Sequence, residues 1–315
     1  MENAENVTVR VFVAGATGVL GVRAVPLLLH AGHRVTAIAR TPEKAATLRA
    51  AGAEPVTVGL FDPAGLRKAV DGHDVVVNLA THIPDLARAA RSSAWGENDR
   101  VRTEGSRNLV DAAVAAGALH YLQESISFFY ADGGSAWLDE TSPFDVPSFA
   151  AAVHEAEAQA LRFTELGGIG VVLRFGWFYG VGASHTASQL KLARRGISPF
   201  PGEQGGYQTF VHLDDAATAV VAAFEAPAGV YNVTEDEPAS RRDLAAAVAS
   251  ALGRRPGRAV PGVAKLGGAK TAYLARSTRV SNRRFREATG WSPSYPDPVL
   301  GWEQVVAQTD ATHSE

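Results

Sequence analysis

Residues Val7–Gly21 read VTVRVFVAGATGVLG, and this stretch decides the fold. Val7–Ala14 is an apolar run that stops at a glycine, the pattern of a strand buried on both faces of a parallel sheet. Gly15-Ala16-Thr17-Gly18-Val19-Leu20-Gly21 follows at once, and a helical stretch is expected from Gly18 to about His30 with Gly32 as its stop. Three glycines in a strand–turn–helix setting have separate uses. Gly15 permits the tight turn, Gly18 lets the backbone approach a pyrophosphate, and Gly21 lets helix and strand pack closely. The helix N-terminus then offers N–H groups and a partial positive charge to phosphates. The stretch predicts a dinucleotide site formed by Gly15, Thr17, Gly18, Val19, Leu20 and Gly21.

The residues after the second strand choose between the two nicotinamide dinucleotides. A carboxylate there would hold the ribose hydroxyls of NAD. The chain instead reads Ala39-Arg40-Thr41-Pro42-Glu43-Lys44. Arg40 suits a 2′-phosphate, with help from the Thr41 hydroxyl and from Lys44, so NADP(H) is the expected cofactor. Thr41 before Pro42 also reads as a helix N-cap with proline at the first helical position.

Alternation continues downstream. Strands are predicted at 34–39, 54–58, 74–79, 121–125 and 170–174, with helices opening at Thr41-Pro42 and Asp62-Pro63 and spanning 98–116 and 150–166. Such βαβ alternation argues for an α/β fold with a doubly wound parallel sheet (Rossmann) and a smaller C-terminal α/β substrate lobe. Residues 1–180 form the expected cofactor domain, with a strand and helix returning from about 208–227, and 181–315 form mainly the substrate lobe. Pro26 predicts a kink in the first helix.

Composition narrows the class. The 315 residues are 46% hydrophobic and 20% charged, which is the make-up of a globular protein rather than a disordered one. A formal net charge of -3 gives no electrostatic reason to expect nucleic acid or an anionic membrane as partner. Cysteine is absent, which excludes disulfides, thiol catalysis and Cys-ligated zinc; no metal site is expected. Met1–Asn6 is polar and acidic, and no apolar run approaches the roughly 20 residues of a membrane span. A cytoplasmic protein acting on a small molecule is expected.

Further pieces follow in order: Asn78-Leu79-Ala80-Thr81, Thr103-Glu104-Gly105-Ser106-Arg107-Asn108-Leu109, Arg174-Phe175-Gly176 with Tyr179-Gly180, Val211-His212-Leu213-Asp214-Asp215-Ala216, Val280-Ser281-Asn282, and Glu287-Ala288-Thr289-Gly290-Trp291. With the glycine loop, they resemble the extended short-chain dehydrogenase/reductase family, also called the NAD-dependent epimerase/dehydratase family. The resemblance spans nearly the whole chain. It implies that Leu79, Ala80, Thr81 and His82 line the cofactor near its ribose and pyrophosphate. It also implies that Leu60 and Phe61 lie against the adenine and that Phe175 and Gly176 flank the nicotinamide. Where the family often has an Asp near the adenine, this chain has Gly59. Asp62 reads as a helix cap, and Asp214 and Asp215 as caps or structural hydrogen-bonders.

One departure concerns the chemistry. The family's usual reaction uses a Ser or Thr after the fifth strand and a Tyr-x-x-x-Lys on the next helix, whose Lys lowers the Tyr pKa for proton transfer. No tyrosine in this chain has a lysine four residues on. Matching Glu157 to the family's acid puts Phe149 and Val153 at the Tyr and Lys positions. Substitute groups are then Glu124, Ser125, Tyr130 and Tyr179, with His82, His154 and His185 as further candidates. Glu124 stands first, because a buried carboxyl with a raised pKa serves as acid or base. Two other readings stay open: a non-redox isomerase, lyase or cyclase on the same scaffold, and an NADP(H)-sensing binding protein without catalysis.

Trp177, Phe178, Tyr179, His185, Phe200, Tyr207 and Phe210 provide aromatic surface for a partly apolar substrate, with Phe210 read as core. The Ala-rich helices at about 98–116 and 150–166 suit close helix–helix approach, and a homodimer is expected.

Overall fold

The computed structural model describes residues 8–83, 92–260 and 271–312. Met1–Asn6 and the Val7 start of the first strand lie outside the described residues. The chain divides into two compact units: Met1–Ser125 with Phe149–Leu173 and Ala217–Val230, and Ile126–Ser148 with Arg174–Ala216 and Tyr231–Glu315.

In the first unit, β1 (Arg10–Ala14), α1 (Gly21–His30), β2 (Arg34–Ile38), α2 (Pro42–Ala50), β3 (Glu54–Val56), α3 (Pro63–Val70) and β4 (Val75–Asn78) follow the expected alternation. Next come α4 (Gly96–Arg100), a π-helical turn (Val101–Gly105), α5 (Ser106–Ala115) and β5 (His120–Ile126). Beyond β6 (Trp137–Leu138, in the second unit) lie α6 (Ala152–Glu165) and β7 (Ile169–Phe175). With β11 (Gly229–Val233), these strands build a seven-stranded sheet in the order β11-β7-β5-β4-β1-β2-β3. The β1–β2, β1–β4, β2–β3 and β4–β5 pairings are parallel. This is the predicted doubly wound Rossmann fold.

Local chemistry explains most element ends. Val11, Phe12, Val13 and Ala14 are all fully buried, which is why β1 reads as a continuous apolar run. Thr41 Oγ1 accepts from Lys44 N at 3.3 Å and Asp62 Oδ1 from Gly65 N at 3.0 Å, so both expected caps form. The first helix begins at Gly21 rather than Gly18, because Gly18 N first closes a turn onto Gly15 O at 3.0 Å. It continues through Pro26 and stops before Gly32, whose φ of 89° suits glycine alone. Phe12, Ile38, Leu66, Val76, Leu109, Tyr121 and Phe163 share one core cluster beneath α3, α5 and α6.

The second unit contains short strand pairs. β8 (Trp177–Tyr179) pairs in parallel with β10 (Phe210–His212), β9 (Tyr207–Gln208) antiparallel with β12 (Ala239–Ser240), and β6 in parallel with β13 (Arg279–Val280). The strand expected to return from about 208 is split at Thr209. Its buried hydroxyl donates to Thr278 O at 2.5 Å and accepts from Val280 N at 3.0 Å, so the two halves take different partners. Helices α7 (Ser184–Arg194), α9 (Arg241–Ala251), α10 (Arg283–Thr289) and α11 (Pro298–Thr312) are present, and α8 (Leu213–Ala222) precedes β11. Tyr179, Phe200, Phe210, Leu244, Val248, Trp302 and Val305 form this unit's core. Among the described residues no helix is long and apolar enough to cross a membrane.

Gly15 sits directly against the end of β4. Its φ is 83°, and a Cβ there would lie 2.4 Å from the Leu79 carbonyl carbon. Gly15→Ala therefore combines left-handed strain with a backbone clash. We expect it to lower unfolding free energy by about 2–4 kcal/mol in urea denaturation.

Candidate functional site

A cavity of about 400 Å³ opens at the carboxyl ends of β1, β2 and β4, where strand order reverses and open α/β sheets bind their ligands. Gly15, Thr17, Gly18, Arg40, Leu60, Phe61, Leu79, Ala80, Thr81 and His82 line it. Those ten positions were all expected from the sequence. Lys44, Val58, Gly59, Glu97 and Val101 line it as well. Glu97 and Val101 carry no sequence signal, because they reach the cavity through the placement of α4 and the π-turn.

The Gly15–Gly18 end is shaped by close backbone approach. A Cβ on Gly21 would lie 2.3 Å from Gly15 O, and one on Gly18 3.2 Å from the same oxygen. The loop therefore folds tightly on itself. Val19, Leu20 and Gly21 do not line the cavity; Leu20 is buried in the core and Gly21 sits under the turn. Thr41 is also absent from the lining, and its hydroxyl is engaged in the α2 cap. Arg40 is exposed on the cavity with Lys44 beside it, and among the described residues neither forms an ion pair. Arg40 and Lys44 are the cationic side chains of the lining, and Glu97 is its acid, among the described residues.

The opposite wall is held from beneath. Asn78 Oδ1 accepts from Ala80 N at 3.1 Å, fixing the Leu79–Ala80 segment. The Asn78 Nδ2 group lies 3.0 Å from Gln123 Oε1, 3.2 Å from Ser106 Oγ and 3.3 Å from Tyr121 OH. Asn108 Nδ2 donates to Leu60 O at 2.9 Å, and Arg100 stacks on Phe61 at 3.7 Å. His82 N donates to Asn98 Oδ1 at 3.1 Å. Gly59 lines the cavity without a side chain, so no carboxylate meets an adenine at that position.

The expected acid–base residues are in different places. Glu124 on β5 is buried, with Oε2 held by Arg102 NH2 at 2.9 Å and Oε1 at 3.4 Å. Burial raises its pKa, while the Arg102 pair opposes the rise. Ser125 is fully buried and its Oγ donates to Glu157 Oε1 at 2.6 Å. Neither residue lines the dinucleotide cavity. In the second unit, Tyr130 is fully buried, donates to Asn232 Oδ1 at 2.9 Å and accepts from Arg174 NH1 at 3.0 Å. Tyr179 is fully buried too, among Phe210, His212 and Trp302. Its hydroxyl has no partner among the described residues, and burial pushes its pKa well above the ordinary value. Phe175 and Gly176 do not line the dinucleotide cavity; a Cβ on Gly176 would lie 2.8 Å from the Phe210 carbonyl carbon. Phe149 packs on Trp95, and Val153 is buried. Asp215 accepts from Ser294 N and Tyr295 N at 2.7 and 3.0 Å, a structural clamp rather than a helix cap. Sequence could not separate these roles, because depth and partner choice depend on chain segments far apart.

Residues 11–234 match the NAD dependent epimerase/dehydratase family. The chain belongs to that family. It is 37% identical over 301 residues to the 3-diazoavenalumate denitrifying reductase of a Streptomyces species, covering 91% of this chain and 97% of that protein. It is 28% identical over 309 residues to dTDP-4-dehydrorhamnose reductase of Streptomyces griseus, covering 95% and 92%. The crystal structure of human epimerase family protein SDR39U1 with NADPH superposes with a TM-score of 0.78 at 26% identity, over 95% of this chain and 99% of the human one. Family membership and these relatives support a nicotinamide cofactor and an oxidoreductase- or epimerase-type role.

Glu124 and Arg102 are a buried pair, with side chains 5% and 3% exposed. Removing one charge leaves the other unpaired in the interior. Glu124→Ala is expected to cost about 3–5 kcal/mol in stability, read by chemical denaturation.

Proposed function

We propose that the protein is an NADP(H)-dependent reductase that passes hydride to a small molecule whose reduction needs no alcohol-forming proton relay. A diazo compound is the substrate class we favour. The observation that carries this reading is the state of the acid–base candidates. Glu124, Ser125, Tyr130 and Tyr179 are all buried, and the first three are held by Arg102, Glu157 and Asn232.

Carbonyl reduction requires a positioned donor to protonate the alkoxide as hydride arrives. Reductive loss of dinitrogen from a diazonium carbon does not. Hydride forms the new C–H bond, the C–N bond breaks with its electron pair leaving in dinitrogen, and NADPH becomes NADP+. No proton enters that balance. The relative at 37% identity is named for removing nitrogen from a diazo compound, which supports this class over a sugar nucleotide. Bound NADPH supplies the hydride. The chain's own contribution is to seat the pyrophosphate against the Gly15–Gly18 turn, hold the 2′-phosphate at Arg40 and Lys44, and keep Leu79–Ala80 in place from Asn78. The second unit is assigned the substrate.

Arg40→Ala tests the cofactor preference. NADPH affinity should fall about 10- to 100-fold, or about 1.4–2.8 kcal/mol, as measured by calorimetry. NADH affinity should change by no more than about twofold, since a charge-assisted contact to the 2′-phosphate is all that is lost. For the reaction, mixing the protein with NADPH and an aryl diazonium salt should bleach the near-ultraviolet absorbance of the reduced nicotinamide and release dinitrogen. Tight NADPH binding without oxidation by diazo, carbonyl or enone compounds would instead favour a cofactor-sensing protein. Product formation without cofactor turnover would favour an isomerase or lyase.

We also propose a homodimer through α5 and α6. Val114, Leu161 and Leu166 are exposed apolar side chains on or just beyond these helices, and an Arg162–Asp111 ion pair links the two. Apolar surface of this kind is typical of an association face. Sedimentation at micromolar concentration should give particles of twice 33.1 kDa; monomers alone would count against it.

A further inference from the structure

The aromatic residues of the second unit fall into two sets. Tyr179, Phe200, Phe210 and Trp302 are no more than 1% exposed and close a core. Phe128, Trp177 and Tyr273 are half-buried, and their rings lie nearly parallel. Phe128 stacks on Trp177 with centroids 4.0 Å apart and planes 19° from parallel. Tyr273 is tilted only 9° from Trp177 and 26° from Phe128, with its centroid 6.4 and 6.2 Å away. Tyr273 therefore stands beside the stacked pair, and the three rings make a platform with partly open surface.

His185 adds a polar point to this platform. Its ring is edge-on to Trp177 at 6.1 Å and 78°. It hydrogen-bonds the backbone of Phe178, and burial lowers its pKa, so the ring is neutral near pH 7. Nε2 is enclosed and has no partner among the described residues, which leaves Nδ1 as the nitrogen that donates to Phe178. In that tautomer Nε2 is a bare acceptor. An enclosed acceptor without a donor costs roughly 1–3 kcal/mol, a cost that a bound O–H or N–H would remove.

We propose that the platform of Phe128, Trp177 and Tyr273 holds the substrate, and that the substrate is a planar aromatic molecule with an O–H or N–H donor for His185 Nε2. Flat rings stack offset on tryptophan and phenylalanine faces at low entropic cost, whereas saturated rings gain only area. This deepens the reductase reading above and rests on it for the word substrate; the binding site itself stands on the second unit's geometry.

The test uses the full chain saturated with NADPH and three probes: 2-naphthol, 2-methoxynaphthalene and decahydro-2-naphthol. Calorimetry should show 2-naphthol binding about tenfold tighter than either of the others, because one lacks the donor and the other the flat ring. Trp177→Ala should weaken 2-naphthol about tenfold, and Trp177→Phe, which keeps a ring face, by no more than about threefold. His185→Phe should abolish the preference for 2-naphthol over its methyl ether. NADPH affinity should be unchanged in all three variants, which also reports that each is folded. Equal affinity for the three probes, no binding up to their solubility limit, or indifference to Trp177→Ala in a variant that still binds NADPH would overturn the platform. The two readings fail separately. Probe binding with no oxidation of NADPH by diazo compounds leaves the platform and overturns the reductase. Diazo-dependent oxidation unaffected by Trp177→Ala does the reverse.

Discussion

Everything at the dinucleotide cavity depends on how closely two backbones approach. Gly15 lies so near the Leu79 carbonyl that a Cβ at position 15 would stand 2.4 Å from it. Two neighbouring parallel strands end there, and Leu79 N still bonds Ala14 O at 2.9 Å. With no side chain at 15, the turn drops into the gap beside the Leu79 carbonyl and leads on to α1. The Leu79 side is kept rigid by Asn78, whose amide bonds Ala80 N above and a buried polar network below. That network joins β4, β5 and α5, so the Leu79–Ala80 wall of the cavity takes its position from the sheet.

A second constraint is electrostatic. The Arg102–Glu124 pair is almost wholly removed from water. Such a pair returns little net stability compared with apolar packing, but it is costly to break. Arg102 sits on a π-helical turn, which inserts a residue into the helix and changes the direction of side chains beyond it. The same turn carries Val101, which lines the cavity. The helix that contributes a cavity wall is therefore anchored to the strand beneath by a charge pair. A carboxylate that reads as an acid or base in sequence is part of this anchor.

In the second unit, aromatic residues close in sequence differ in function because they differ in depth. Trp177 and Tyr179 are two residues apart on β8, yet one is half-buried and the other is packed under Trp302 and Gly301. Thr209 splits what reads as a single strand, and the adjoining short strands carry too few residues to show a period. The lobe is held by side-chain-to-backbone bonds such as those of Thr209 and Ser277 more than by long ladders.

The sequence by itself determined the parallel sheet, the glycine turn, the caps at Thr41 and Asp62, and most of the cavity lining. These rest on local rules: an apolar run for a strand buried on both faces, glycine where a side chain cannot fit, and a short polar side chain at a helix start. Arg40 was legible for the same reason, since its place at the end of β2 follows from the chain count alone. Only the tertiary structure decided the surroundings of Glu124, Ser125, Tyr130 and Tyr179, the entry of Glu97 and Val101 into the cavity wall, and which aromatic rings are half-buried rather than enclosed. Each of those outcomes depends on a partner far along the chain: Arg102 for Glu124, Glu157 for Ser125, Asn232 for Tyr130, Trp302 for Tyr179. Burial and pairing at that range are products of packing, and residue type with spacing does not encode them.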